Sequence, residues 1–222
     1  MQCVKKVIML FRKALRSIVV NLIYLWPFSP WRGLVYYQLD KDMKSFLDVG
    51  CEVGGTSRNL RIHRITNVYS VGVDLFLPYL KECKKDKLYD ELVLASATHL
   101  PFRYKTFDTV FLIEIIEHLG KKYALHLIGE AEKIARKQVI ISTPTGCRKG
   151  FRITHSYQEY ILQQHRSCWT FLELKKLGYK VRGDFGPSFL PDRLAYLLSF
   201  VVPLTYFFPS VASHIMATKR IR

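Results

Sequence analysis

Between residues 45 and 187, short β-branched apolar runs alternate with longer amphipathic ones. Phe46–Gly50, Val68–Asp74, Glu91–Ser96, Thr109–Ile113 and Gln138–Thr143 are short, apolar and rich in residues that suit a pleated strand. The intervening stretches, about Gly55–Ile62, Leu77–Lys85 and Ile116–Arg136, carry apolar residues at helical spacing. Such alternation predicts βαβ units, a mostly parallel sheet and helices on both of its faces. Further on, Ser156 with Glu159 and Thr170 with Glu173 have the spacing of capping boxes, which predicts two more helices. Gly178 suits the end of the second. Tyr179–Arg182 then reads as a sixth strand and His214–Lys219 as the last.

The two ends of the chain differ from this middle. Residues 1–44 form a basic amphipathic segment that predicts a helix from about Val4 to Trp26. Its uncharged stretch from Ser17 to Trp31 is interrupted by Pro27 and Pro30 and falls short of the roughly 20 apolar residues a membrane span needs. A charged-then-apolar order also resembles a signal peptide, but no clear small-x-small cleavage site follows Trp26. Two readings remain: an interfacial helix with Lys and Arg at lipid headgroups, or a helix packed on its own domain. A second greasy stretch, the hydrophobic insertion 188–211, lies before the last strand, with Pro203 and Pro209 breaking it. A surface-lying or re-entrant hairpin, a lid over the active site and a dimer contact are its three readings.

The 222 residues suffice for one α/β domain, expected over residues 45–222, and are too few for two comfortable ones. A formal net charge of +16 implies an anionic partner such as nucleic acid, an acidic substrate or a membrane face. Cysteines stand at 3, 51, 83, 147 and 168, an odd count with no C-x-x-C pair and no zinc spacing. No metal site and no disulfide framework are expected. Buried free thiols in a reducing, cytoplasmic compartment fit this pattern.

Candidate chemistry sits at the strand ends. Leu47-Asp48-Val49-Gly50-Cys51-Glu52-Val53-Gly54-Gly55 joins the first strand to a helix, and its glycines let the backbone approach a ligand closely. Asp74 ends the second strand, where a carboxylate can accept hydrogen bonds from both hydroxyls of a ribose. Ala97-Thr98-His99-Leu100-Pro101-Phe102 follows the third strand, Phe107-Asp108-Thr109-Val110 opens the fourth, and Glu114-Ile115-Ile116-Glu117-His118-Leu119 leaves it.

In this order the segments resemble the class I S-adenosylmethionine-dependent methyltransferases, especially the small-molecule branch typified by quinone-biosynthesis enzymes. The resemblance runs from about Phe46 to Thr143. It implies a Rossmann-like, doubly wound, seven-stranded α/β sheet whose last strand is antiparallel. Carried over, Asp48, Gly50, Cys51 and Gly54 would line the methionine end of the cofactor S-adenosylmethionine. Asp74 would hold the ribose with Leu75 beside the adenine, Ser96 and Ala97 would face the adenine edge, and Glu114 would lie near the sulfonium. The chain departs from the family pattern at Glu52, where a second glycine is usual, and at Ser96, where an aspartate is common.

Methyl transfer needs alignment above all, and a general base only where the acceptor's proton has a high pKa. His118 and His165 are the candidate bases, each open to a purely structural reading, with His99, His126 and His155 weaker still. The fourth strand ends in Leu112-Ile113-Glu114-Ile115 rather than the N-P-P-Y or D-P-P-Y of enzymes that methylate base amines. The leading expectation is therefore a methyltransferase for a small lipophilic acceptor, at the cytoplasmic face of an anionic membrane, with nucleic acid disfavoured as partner. A noncatalytic cofactor-binding scaffold of the same fold and an RNA-directed methyltransferase are the alternatives.

Overall fold

The computed structural model describes residues 38–147, 156–187 and 202–221. The expected N-terminal helix lies outside these residues, as does most of the hydrophobic insertion.

Seven strands form one sheet in the order β3-β2-β1-β4-β5-β7-β6. They are β1 (Ser45–Val49), β2 (Tyr69–Asp74), β3 (Glu91–Leu94), β4 (Phe107–Ile113), β5 (Ala135–Pro144), β6 (Lys180–Pro187) and β7 (Ala212–Arg220). The pairs β1–β2, β1–β4, β2–β3 and β4–β5 are parallel, whereas β7 runs antiparallel to both β5 and β6. This is the α/β, Rossmann-like methyltransferase fold.

Side-chain alternation along the strands builds a core on each face. Leu47, Val49, Val110, Leu112, Val139 and Ile141 bury one face, against Ala124, Leu127 and Ala131 of helix α3 (Lys121–Ile134). Phe46, Phe111, Ile113 and Ile140 bury the other, with Leu60 of α1 (Gly55–Ile62) and Leu80 and Cys83 of α2 (Leu77–Lys85). Leu39 and Met43 join this second core, so the end of segment 1–44 packs on the domain.

The run expected as one helix over Ile116–Arg136 divides. Ile116–His118 forms a single 3₁₀ turn, Gly120 is extended, and α3 starts afterwards at Lys121. At the other end the Lys105 and Thr106 N–H groups take the carbonyls of Lys133 and Ile134. That caps the helix early and releases Ala135 and Arg136 into β5. Arg136 and Lys137 then pair with Asp108 at 3.0 and 3.3 Å. Burial would raise the Asp108 carboxyl, but the Lys44 N–H and these two cations outweigh it and hold it below the usual range.

The two expected capping boxes differ. Thr170 and Glu173 form a complete box at the start of α5 (Phe171–Lys176). Ser156 accepts the Glu159 N–H and so caps α4 (Tyr157–Leu162), but the Glu159 carboxylate goes elsewhere. Within the insertion, Val202–Phe207 forms a short helix, α6. No helix among the described residues is long and apolar enough to cross a membrane.

The cysteine expectation needs correction. Cys147 and Cys168 are joined in a disulfide across 21 positions of sequence. Thr145 and Gly146, at the end of β5, bridge to Trp169 and bring the two thiols together, a tertiary contact that spacing alone does not encode. The pairing withdraws the cysteine pattern as support for a reducing compartment. Cys51 and Cys83 are free and buried, as expected.

Candidate functional site

Between β1 and β4 the connections leave the sheet in opposite directions, and a crevice opens at the strand ends. It holds a cavity of about 470 Å³. Gly50 after β1, Asp74 and Leu75 after β2, Ser96 and Ala97 after β3, and Glu114 after β4 all line it. The fold thus gathers six of the nine residues proposed from sequence for the cofactor.

Asp48, Cys51 and Gly54 do not reach its surface and stand one layer behind. Asp48 is buried and accepts the Tyr89 hydroxyl at 2.6 Å. Burial pushes its carboxyl up to about 6 against the lowering effect of that bond. Gly54 caps α1 at φ 82°, and a Cβ there would meet Leu88 at 2.3 Å. Gly50 has φ 72°, and a Cβ there would press on Ile115 at 2.8 Å. Only glycine fits both positions without a shift of the chain.

Asp74 is set by two loops, its own and the one after β1. One oxygen accepts the Glu52 N–H at 2.9 Å and the other the Phe76 N–H at 2.8 Å. Burial raises its carboxyl even so. Each oxygen keeps further acceptor capacity for a vicinal diol. Ser96 accepts the Thr98 N–H at 3.2 Å, which turns the chain after β3 along the cavity.

Glu52 stands in the cavity wall with φ 47°, a left-handed conformation that glycine adopts without strain. The backbone has kept the glycine's shape while the side chain adds a carboxylate. Glu114, also left-handed at φ 52°, accepts the Ser142 hydroxyl at 2.7 Å.

Of the two candidate bases, His118 lines the cavity, with Nδ1 3.3 Å from the Gln164 carbonyl. His165 is not part of the lining and sits behind it, its ring edge-on to His118 with centroids 4.9 Å apart.

Sequence reasoning missed the far wall. The Tyr79 hydroxyl of α2 donates to Glu159 of α4 at 2.5 Å, and Gln163 donates to Tyr79 at 3.4 Å. Tyr79, Glu159, Gln163 and Arg166 all line the cavity. Burial and the neighbouring carboxylates raise the Tyr79 hydroxyl. The only local signal was the Ser156–Glu159 spacing, which gave Glu159 a capping role it does not fill. Glu117 was also missed as a side chain of interest; it is 2% exposed and accepts the Thr143 hydroxyl at 3.0 Å. Burial, then the charge of Glu114, raises its carboxyl well above the usual range.

A mostly parallel sheet with an antiparallel seventh strand and a crevice over β1 and β4 defines the methyltransferase fold class. Residues 47–142 match the family described as a methyltransferase domain. The chain is 29% identical over 116 residues to norajmaline N-methyltransferase of Rauvolfia serpentina, covering 50% of this chain and 36% of that protein. It is 30% identical over 96 residues to an uncharacterized protein of Methanocaldococcus jannaschii, covering 43% and 39%. The chain therefore spans less than two fifths of the length of these curated relatives. A SAM-dependent methyltransferase from Archaeoglobus fulgidus has the same fold, with TM-score 0.57 at 15% identity over 92% of this chain and 99% of that one.

Proposed function

We propose that this chain is an S-adenosylmethionine-dependent methyltransferase acting on a small lipophilic acceptor. The observation that carries the reading is the convergence of Gly50, Asp74, Ser96 and Glu114 on one cavity from four different strand ends. The matched methyltransferase family and the SAM dependence of the Archaeoglobus protein support it. When bound, the cofactor supplies an electrophilic methyl group on a sulfonium.

The residues present suit that group. Asp74 offers two anchored carboxylate oxygens to a ribose diol. Ser96 offers a hydroxyl oxygen to a base edge, and Gly50 leaves room for close backbone approach. Glu52, Asp74, Glu114 and Glu159 give the cavity an acidic lining in a chain of net charge +16, which favours a cationic ligand.

The rest of the lining argues for the acceptor. Ile115, Leu119 and Leu162 present apolar surface suited to a quinone-like, isoprenoid or lipid-linked group. Alignment of acceptor and methyl group within such a wall supplies the main catalytic effect, up to about 7–11 kcal/mol in favourable cases. Two imidazoles, His99 and His118, line the cavity, and His118 stands beside Ile115 and Leu119 of that apolar wall. Contact with an anionic membrane surface, through the basic and apolar segments at the chain's ends, belongs to the same proposal.

Calorimetry with S-adenosylhomocysteine tests the reading. Saturable one-to-one binding, weakened in Asp74→Ala, is expected. No heat of binding to the full chain would overturn it.

A further inference from the structure

Where the 3₁₀ turn after β4 meets the segment before α5, three side chains from two parts of the chain converge. Glu117, His118 and His165 each place a ligand-type atom so that all three lie within 4.8 Å of one another. The cluster is not a patch of solvated charge. Glu117 is 2% exposed; its carboxyl accepts the Thr143 hydroxyl at 3.0 Å and lies close enough to Glu114 for the two acids to interact. Its other oxygen, Oε1, is buried with no hydrogen-bond partner among the described residues. A cation at that oxygen would favour the ionised carboxylate and offset the cost of burying it.

The surroundings hold these ligands in place. The Glu117 carbonyl accepts the N–H groups of Arg166 and Ser167 at 2.7 and 3.1 Å, and the Ser167 hydroxyl donates to the Ile116 carbonyl at 3.0 Å. These bonds fix the segment carrying His165 against the turn carrying Glu117 and His118. His118 Nδ1 faces the Gln164 carbonyl at 3.3 Å, the kind of contact that orients a metal-ligating imidazole. Glu114, one turn earlier, adds a further carboxylate that senses Glu117 and carries His214 Nε2 at 3.7 Å.

We propose that Glu117, His118 and His165 form a binding site for a divalent transition ion at the wall of the cavity. Two imidazole nitrogens with a carboxylate oxygen suit ions of the zinc or manganese class better than calcium or magnesium, which favour all-oxygen sets. His118 and Glu114 belong to the cavity lining, so the ion would stand beside the space assigned to the acceptor. There it would orient an oxygen-bearing acceptor by direct ligation. The two histidines then act as ligands and not as proton acceptors. The acceptor role rests on the methyltransferase reading; the ion site itself does not.

The test uses the full chain, stripped with chelator and dialysed against Zn²⁺ or Mn²⁺. Bound metal is counted by mass spectrometry, and Co²⁺ serves as an optical probe. One equivalent is expected, with a ligand-field band for Co²⁺. Glu117→Gln and His165→Asn should each weaken binding at least tenfold, while His126→Asn, on the outer face of α3, leaves it unchanged. Far-ultraviolet dichroism checks that each variant folds. Should Glu117→Gln fail to fold, His165→Asn carries the test alone. Stoichiometry far below one, or affinity unaffected in folded His165→Asn, would overturn the site. S-adenosylhomocysteine calorimetry on the same samples separates the two proposals: metal binding without it would sink only the methyltransferase reading.

Discussion

The Tyr89 hydroxyl, from the loop just before β3, donates to the buried Asp48 carboxyl of β1 at 2.6 Å. Asp48 is 1% exposed and its carboxyl is pushed up to about 6, chiefly by burial. A carboxyl raised in the folded state is protonated there while the unfolded chain is already ionised. Its contribution to stability is therefore complete below pH 4 and is lost as pH rises through 6. Burial of the charge removes roughly 3 kcal/mol across that window. Asp48→Asn should be more stable relative to wild type at pH 7 than at pH 4, by a difference of that order. Urea unfolding of both proteins at the two pH values measures it. Equal differences at both would show that the shift is absent.

Asp74 gives the sharpest test of the cofactor site. Its loss removes hydrogen bonds to a charged group, worth about 1.5–3 kcal/mol. Asp74→Ala should raise the Kd for S-adenosylhomocysteine by roughly 10- to 150-fold at 25 °C. An unchanged calorimetric Kd would exclude Asp74 from the site.

Glu52 keeps φ 47° in a position where glycine is at ease. Glu52→Gly relieves left-handed strain of about 1–2 kcal/mol and adds about 0.5–1 kcal/mol of chain entropy to the unfolded state. Stability should hold or rise slightly in denaturant titrations. Removing the carboxylate should also tighten S-adenosylhomocysteine binding, because the resemblance puts the methionine carboxylate beside this loop. Weaker binding in the variant would instead make Glu52 a ligand-holding residue.

The membrane proposal has a direct test in co-sedimentation with vesicles. Each basic residue near an anionic surface contributes about 1 kcal/mol, and buried apolar surface adds a part that salt does not screen. Binding should increase with anionic lipid and survive in part at high salt. Removal of residues 1–30 should reduce it. Full-length chain left in the supernatant at every lipid composition would end the idea.

How much of this was legible beforehand depends on the range of the interactions involved. The limits of α1 and α2 follow from local chemistry and agree with expectation residue for residue. Gly54 in the left-handed region precedes one helix, and Pro78 stands in the first turn of the other. The short apolar runs of β1, β4 and β5 marked strands buried on both faces, and the structure buries them so. Gly120 carried a readable warning that the helix after β4 would break. The far wall of the cavity was not readable, because Tyr79 and Glu159 meet across 80 positions of sequence. Glu117 looked like one more acid in a helical run, and only the fold around Thr143 buries it.

Reduction of the Cys147–Cys168 bond should destabilise the fold. Opening a loop of 21 positions frees the unfolded chain by about 3 kcal/mol in the chain-entropy treatment. Urea unfolding with and without dithiothreitol reads the change, and Cys147→Ser should reproduce the reduced value. Identical midpoints would show that the bond does not form in solution.

That same bond ties Cys147, just after β5, to Cys168, just before α5, and so closes residues 147–168 into a covalent ring. The ring carries Glu159, Gln163, His165 and Arg166, while Gly50, Asp74, Ser96 and Glu114 all belong to the sheet's own strand ends. The molecule is thereby split between two kinds of part. One is a fixed platform whose geometry is dictated by strand pairing. The other is a segment held by the disulfide and by hydrogen bonds to the turn after β4 and to α2, outside the strand pairing of the sheet. On the proposed function, this segment would set selectivity for the acceptor, and the strand ends would hold the cofactor.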